Sequence, residues 1–351
     1  MKLLTTMLFA SLCLAPPCWA GSSDGHFDIY WIDVEGGAST LMVTPTGESL
    51  LVDTGNPGRR DANRIVQVAT QVAGLRKIDH LVTTHYHGDH YGGAALLATL
   101  MPIGVVYDNG KFEGMPNDPG AEYFNFPCER RVVIQAGDTL PLKPTPPDSP
   151  KTVVRCLGAR QTFIPPVDEQ HADNGPLCAD CRPKDRDGSD NANSVVLLVQ
   201  FGDFRFFDGG DLTWNQEMRL VCPRDLIGPV DVYQVTHHGL DSSNNPVVLN
   251  TIQPRVAIMN NGDVKGCLPE VYANLSSTES IQQIYQMHKN LRPDGSVNNV
   301  ADTFIANCEP SGQCAGHYIH LSVAADSQSY RVSIPAKPDS QRTFATRQPQ
   351  D

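Results

Sequence analysis

The chain is expected to fold as an α+β protein in which two β-sheets pack face to face with helices on their outer sides. Three observations lead there. Short apolar strands come as hairpins near residues 27–52 and 194–207, alternating strand and helix patterns follow each hairpin, and this order runs twice along 351 residues. That length suits one large domain with a proper core.

The elements follow in chain order. Residues 1–20 read as a cleaved secretory signal: Met1-Lys2 gives a positive start, residues 3–14 are nearly all apolar, and Cys18-Trp19-Ala20 precedes Gly21 as a small-x-small cleavage site. The expected product is secreted or periplasmic, and no later window reaches eighteen apolar residues. Residues 27–34 alternate, with Phe27, Ile29 and Trp31 set against Asp28, Tyr30 and Ile32. Strands at 40–44 and 49–52 flank the turn Pro45-Thr46-Gly47. A helix at 63–73 stops at Gly74, and a strand at 78–84, a helix at 92–100 and a strand at 104–107 follow. Residues 141–190 hold nine Pro and three Gly and read as a surface insertion that could act as a lid. Strands are then expected at 194–201, 204–207, 230–236, 256–259, 303–306, 318–323 and 330–334, and helices at 214–221 and 278–289. The domain spans 21–335, and 336–351 reads as a polar, frayed tail.

Charge narrows the partners. Lys plus Arg total 27 against 39 Asp plus Glu, a net −12, which does not provide the broad basic face that phosphate neutralisation along nucleic acid needs. A small-molecule or short oligomeric substrate is expected. Eight of the ten cysteines lie beyond the signal, and an even count in an exported chain favours disulfides. Cys308 and Cys314 form the most plausible local loop. For Cys178-x-x-Cys181 a role in structural disulfides, with partners left open, is expected, and half of a zinc site or a redox pair is the alternative.

The chemistry is concentrated in Thr83-Thr84-His85-Tyr86-His87-Gly88-Asp89-His90-Tyr91-Gly92-Gly93, between a buried strand and a helix. In extended chain, residues two apart point the same way, so His85 and His87 can bind one ion. Gly88 permits a turn, after which Asp89 and His90 face a second ion. Imidazoles with a carboxylate are a zinc ligand set, with manganese or iron as alternatives. Tyr86, between two ligands, is expected to face outward.

The pattern His85-x-His87-x-Asp89-His90 followed by Gly-Gly resembles the signature of the metallo-β-lactamase superfamily. Asp53-Thr54-Gly55 is similar to that family's first motif, whose Asp braces the metal loop. Gly210-Asp211-Leu212 resembles the motif whose Asp bridges two metals, and Asp211 is preferred there over Asp208. His237-His238-Gly239 resembles the last histidine motif. The resemblance runs from about residue 26 to 334 and implies a four-layer αββα sandwich with a dinuclear site at one sheet edge. Asn193-Ser194 before an apolar strand, then Gly-Asp-Leu and Thr-His-His-Gly, resemble the metallo-β-lactamase-like domain of ComEC-type competence proteins. One departure stands out. Typical dinuclear members carry a further His before the bridging Asp, whereas Asp190-Asn191-Ala192-Asn193 occupies the expected place here.

What the resemblance implies is a hydrolase using a metal-bound hydroxide. Its metal ligands would be His85, His87, Asp89, His90, Asp211 and His237, with Asp53 and Asn193 supporting them. Asp89 would orient the nucleophile and His238 would be free to donate a proton. A phosphodiester or other phosphate ester is the expected substrate, as in a phosphodiesterase or nuclease-like enzyme. Lactam, lactone or other acyl substrates are the alternative. A non-catalytic exported binding module with a degenerate metal site is the alternative from another class.

Overall fold

A computed structural model describes residues 24–167, 171–179 and 181–347, so the signal expected at 1–20 lies outside the described residues. The first sheet begins with β1 (Phe27–Trp31), β2 (Thr40–Val43), β3 (Ser49–Val52), β4 (Ile78–Val82), β5 (Ile103–Asp108) and β6 (Arg130–Val133). The second comprises β7 (Thr152–Ala159), β8 (Thr162–Phe163), β9 (Val196–Phe201), β10 (Phe204–Asp208), β11 (Val232–Gln234), β12 (Val256–Met259), β13 (Gln283–His288) and β14 (Ile305–Asn307). The chain then returns to the first sheet as β15 (Ile319–Val323), β16 (Ser329–Ile334) and β17 (Lys337–Ala345), which add antiparallel beside β1.

Each sheet changes from antiparallel to parallel partway along. In the first, β1, β2 and β3 are antiparallel neighbours, and β3 to β6 run parallel. In the second, β7, β9 and β10 are antiparallel, and β10 to β14 run parallel. The parallel strands need crossovers, which place helices such as Arg59–Gln67, Ala94–Leu100, Trp214–Val221, Pro246–Ile252 and Pro269–Ser277 on the outer faces.

Three apolar clusters lie between four layers. The central one joins the sheets through residues such as Phe27, Trp31, Val52, Phe204, Phe206 and Ile258. A second packs the helices at 214–221, 246–252 and 269–277 on the second sheet, and a third packs those at 59–67 and 94–100 on the first. This is the expected αββα sandwich, and β1 is buried on both faces because both are covered. A polar thread crosses the central layer: Trp31 Nε1 and Thr40 Oγ1 each donate to Gln234 Oε1 at 2.8 Å, and Gln234 Nε2 donates to Asp208 Oδ1 at 2.9 Å.

Four expectations change. Residues 278–289 do not form a helix: β13 runs through Gln283–His288, and the helix lies earlier at Pro269–Ser277. Polar residues misled the pattern, because buried Gln286 is satisfied by Asn299 Oδ1 (3.1 Å) and the Val300 amide (2.6 Å). The segment 141–190 is not wholly a surface excursion, since β7 pairs with β9 inside the sheet. The expected tail from 336 instead forms β17, a polar edge strand that buries only Ser340 and Phe344. Cys178 is in a structural disulfide, as expected, with Cys222 as its partner; Cys181 is a free thiol, and the loop expected between Cys308 and Cys314 is unbridged. Cys308 Sγ faces Lys337 Nζ at 3.2 Å, and Cys314 Sγ faces Asp33 Oδ2 at 3.3 Å, so the two thiols have different neighbours.

Candidate metal centre

The carboxyl ends of β3, β4, β10, β11 and β12 converge at one end of the sandwich, where open α/β sheets commonly bind ligands. From β4 come Thr83 to His87, then the short helix Gly88–Tyr91 carrying Asp89 and His90. Gly92 and Gly93 let that helix lie against the loop after β3. A Cβ on Gly92 would stand 2.5 Å from Pro57 N, and one on Gly93 would stand 2.3 Å from Thr54 O. That loop in turn holds the helix, with Thr54 N donating to His90 O at 2.6 Å.

Asp53, in a left-handed conformation at φ +61°, is the brace. Its Oδ1 accepts from Thr84 N (2.8 Å), while its Oδ2 accepts from Thr84 Oγ1 (2.7 Å) and His90 Nδ1 (2.7 Å). His90 is thereby protonated on Nδ1, and its Nε2 lone pair points inward. His238 Nδ1 likewise donates to Asn260 O at 3.3 Å, freeing its Nε2. The two Nε2 atoms lie 3.2 Å apart, and Asp211 Oδ2 is 3.1 Å from the first and 3.2 Å from the second. Asp89 Oδ2 completes the group at 3.6 and 3.4 Å, with all four ligand atoms within 4.8 Å of one another. Four inward acceptors without a shared donor are a donor set for a divalent cation, so the residues fit one.

The four groups also shift one another electrostatically. Burial works against charge on Asp211, yet His238 and His90 hold its carboxyl well below the usual range. Burial also raises Asp89, but His90, His238 and Lys265 overcome it and keep it ionised. Burial depresses His90 and His238, but Asp211 outweighs it and both are raised. His85 is driven down by burial and by His90 beside it. His237 is lowered to about 4 by burial, which the nearby Asp211 only partly offsets.

The two adjacent histidines, His237 and His238, both adopt positive φ (55°) and fall on different sides of Asp211. The sequence reading makes His237 the ligand and leaves His238 for substrate. Instead His238 is fully buried within the four-residue cluster, and neither of its ring nitrogens is free to serve a leaving group. His237 Nε2 lies 3.6 Å from Asp211 Oδ2 on the other flank, where His85 Nε2 is 3.9 Å from that oxygen and 3.1 Å from His87 Nδ1.

Asp208 is turned away from the cluster: it accepts from Gly210 N and Gln234 Nε2, both at 2.9 Å, and burial pushes it up to about 7. Asn193 is also turned away, donating to Asp190 Oδ1 at 2.8 Å and accepting from Gln161 Nε2 at 3.1 Å. Asn191, two residues earlier, reaches His237 Nε2 at 3.2 Å instead. Tyr86 is buried rather than outward-facing, its hydroxyl donating to Gly110 O at 3.0 Å. Lys265 was not legible as a site residue: the turn after β12 brings its Nζ onto Asp89 Oδ2, at the exposed flank of the cluster.

A second group, Asp33, His288 and Cys314, is also close enough to share an ion. Arg64 already serves it, with guanidinium nitrogens 3.0 Å from Asp33 Oδ2, 3.1 Å from Glu35 Oε1 and 3.5 Å from Cys314 Sγ. Arg64 therefore already occupies one side of this group.

A family model described as the metallo-β-lactamase superfamily matches residues 32–172, the stretch that contains Asp53 and the whole His85–His90 loop. Over that stretch the chain is similar to the metallo-β-lactamase superfamily. The chain is 33% identical over 98 residues to a metal-dependent hydrolase of Cupriavidus metallidurans, covering 27% of this chain and 31% of that one. It is 25% identical over 260 residues to competence protein ComA of Neisseria gonorrhoeae, covering 73% of this chain and 29% of that one. The chain thus spans about a third or less of the length of these relatives. Among solved structures, CmlA, a diiron β-hydroxylase from Streptomyces venezuelae, aligns with a TM-score of 0.39 and 18% identity, covering 67% of this chain and 44% of that one. Among the described residues, no helix is long and apolar enough to cross a membrane.

Proposed function

We propose that the protein is a metal-dependent hydrolase of a small or short phosphate ester, with the phosphodiester bond as its target. The observation that carries this reading is the buried convergence of His90 Nε2, His238 Nε2 and Asp211, each imidazole being held by its other nitrogen. Asp89, His90, Asp211 and His238 would hold a divalent cation, zinc first and manganese or iron next, which supplies Lewis acidity and an acidified water.

The protein's own groups set the direction of approach. His85, His90 and His238 are fully buried, whereas His87 and Asp89 keep some exposure, so substrate arrives on their side. Ionised Asp89 accepts a hydrogen bond from an attacking water and so aims its lone pair at the substrate. Lys265, paired with Asp89 and partly exposed, meets an anionic group at this mouth, which favours a phosphate ester over a neutral acyl compound. Nearby, a cavity of about 690 Å³ lies between the 183–187 segment, Trp214 and Ser242, and the Ser242 hydroxyl is 3.0 Å from His237 Nδ1. Its size suits a small ligand. Its carboxylates, Asp185, Asp187 and Asp241, disfavour a long polyanion. The Cys178–Cys222 bond supports a secreted or periplasmic location, where disulfides persist.

The test is metal-stripped protein reconstituted separately with zinc, manganese and iron, and assayed on bis(p-nitrophenyl) phosphate, short oligonucleotides, a lactone and a cephalosporin. Metal-dependent phosphodiester turnover that disappears in Asp211→Asn is expected. Turnover confined to the lactone or cephalosporin would move the substrate to the acyl class. Bound metal without turnover of any substrate would favour a binding module.

A further inference from the structure

The turn after β12 carries two adjacent asparagines, and their side chains are used differently. Asn261 Nδ2 donates to Gly262 O at 2.9 Å and to His288 O at 2.7 Å, which ties the turn to the end of β13. Asn260 contributes through its backbone, its carbonyl accepting from His238 Nδ1 at 3.3 Å. Its side-chain amide is bonded to nothing. The residue is 7% exposed, its Oδ1 is buried without a hydrogen-bond partner, and its Nδ2 meets no acceptor among the described residues. Rotating the amide exchanges its two ends and satisfies neither, so the fold carries a buried polar group that it does not use.

Strand register places this amide at the centre. Asp208, Gln234 and Ile258 stand level across β10, β11 and β12. Two residues further on, Gly210, Thr236 and Asn260 leave the same sheet edge, and Asp211, His237 and His238 follow at once. Ile258 belongs to the core between the sheets and Met259 to the core under the helices, so Asn260 turns back toward the space between the sheets. The same turn closes with Gly262 N donating to Lys265 O at 2.9 Å, and it delivers Lys265 Nζ to Asp89 Oδ2. One short turn thus presents an ammonium group and an uncommitted amide. An unpaired donor beside a cation is what an anionic oxygen requires.

We infer that Asn260 contacts the substrate, its Nδ2 donating to a non-bridging oxygen of the phosphate ester beside Lys265. The inference rests on the phosphate-ester reading and deepens it. Negative charge on that oxygen grows toward the transition state, so the contact supports turnover as well as binding.

The experiment measures phosphate binding rather than turnover. Zinc-loaded, desalted protein is titrated calorimetrically with inorganic phosphate, for the wild type, Asn260→Ala and the near-isosteric Asn260→Leu, and zinc per chain is measured for each. Zinc content should be equal in all three, because His238 is held by a backbone carbonyl that neither substitution removes. Phosphate binding should weaken about 10–100-fold in both variants, the usual worth of a hydrogen bond to a charged group. Asn260→Leu carries the test should Asn260→Ala fail to fold, which circular dichroism reports. Unchanged phosphate affinity in a folded variant overturns the inference and leaves the phosphate-ester reading standing. Weaker phosphate binding accompanied by loss of zinc overturns it as well, since the amide would then be a support for His238. A wild type that holds zinc and binds no phosphate overturns the inference and the phosphate-ester reading together.

Discussion

His90 Nδ1 donates to Asp53 Oδ2 across 2.7 Å, and that single contact sets which nitrogen of His90 faces Asp211. Asp53→Asn keeps the shape but can no longer hold both Thr84 and His90 as a charged acceptor. Metal affinity should fall about 10–100-fold, with the fold retained. Competition with a chromophoric chelator measures it, and unchanged affinity would remove Asp53 from the supporting role.

Lys265→Ala removes the ammonium group that pairs with Asp89 at the exposed flank. The expected effect is on recognition: KM for a phosphodiester rises about tenfold, as for loss of ~1.4 kcal/mol of binding, while kcat changes little. A neutral lactone, if turned over, should show no such rise. An equal loss on both substrates would assign Lys265 a structural role instead.

Glu217 gives the fold a pH dependence separate from the metal. Its Oε2 accepts from Asn245 N at 2.9 Å, its Oε1 has no partner, and burial raises its carboxyl from 4.5 to about 7. Between those values the folded chain binds more protons than the unfolded one, so stability falls as pH rises from about 4.5 to 7 and then levels. Glu217→Gln, which keeps an acceptor for Asn245, should gain up to about 3 kcal/mol over the wild type at pH 8 relative to their difference at pH 4. Urea unfolding at saturating metal measures this, and an equal difference at both pH values would refute it.

The Cys178–Cys222 bond closes a loop across a sequence separation of 44 residues. Replacing both by serine should cost about 3–4 kcal/mol, chiefly by releasing the unfolded chain. Metal stoichiometry should be unchanged, because the sulfurs sit at the far end of the helix Trp214–Val221 from Asp211. Loss of metal on reduction would mean that the bridge also shapes the site.

Much of the fold was legible because apolar alternation survives where one face or both are covered. The β1 pattern and the Phe204–Asp208 hairpin strand are examples. It failed at β13 and β17, where Gln286 is satisfied by hydrogen bonds and an edge strand has little to bury. The loop was legible as a candidate metal site because three imidazoles and a carboxylate lie within six residues on a strand end. The separate fates of His237 and His238 were not, because they depend on two successive left-handed residues that no side-chain pattern announces. Lys265 and Asn191 join the site through loop packing alone.

The thread through Gln234 and the ligand cluster share one property: each draws on both sheets. Asp53, His85, His87, Asp89 and His90 follow strands of the first sheet, and Asp211, His237 and His238 follow strands of the second. An ion there would work as a bolt between two plates, its binding energy adding to that of closing the sandwich. A chelator should then lower the melting temperature of the whole domain, and neither half expressed alone should retain the ion.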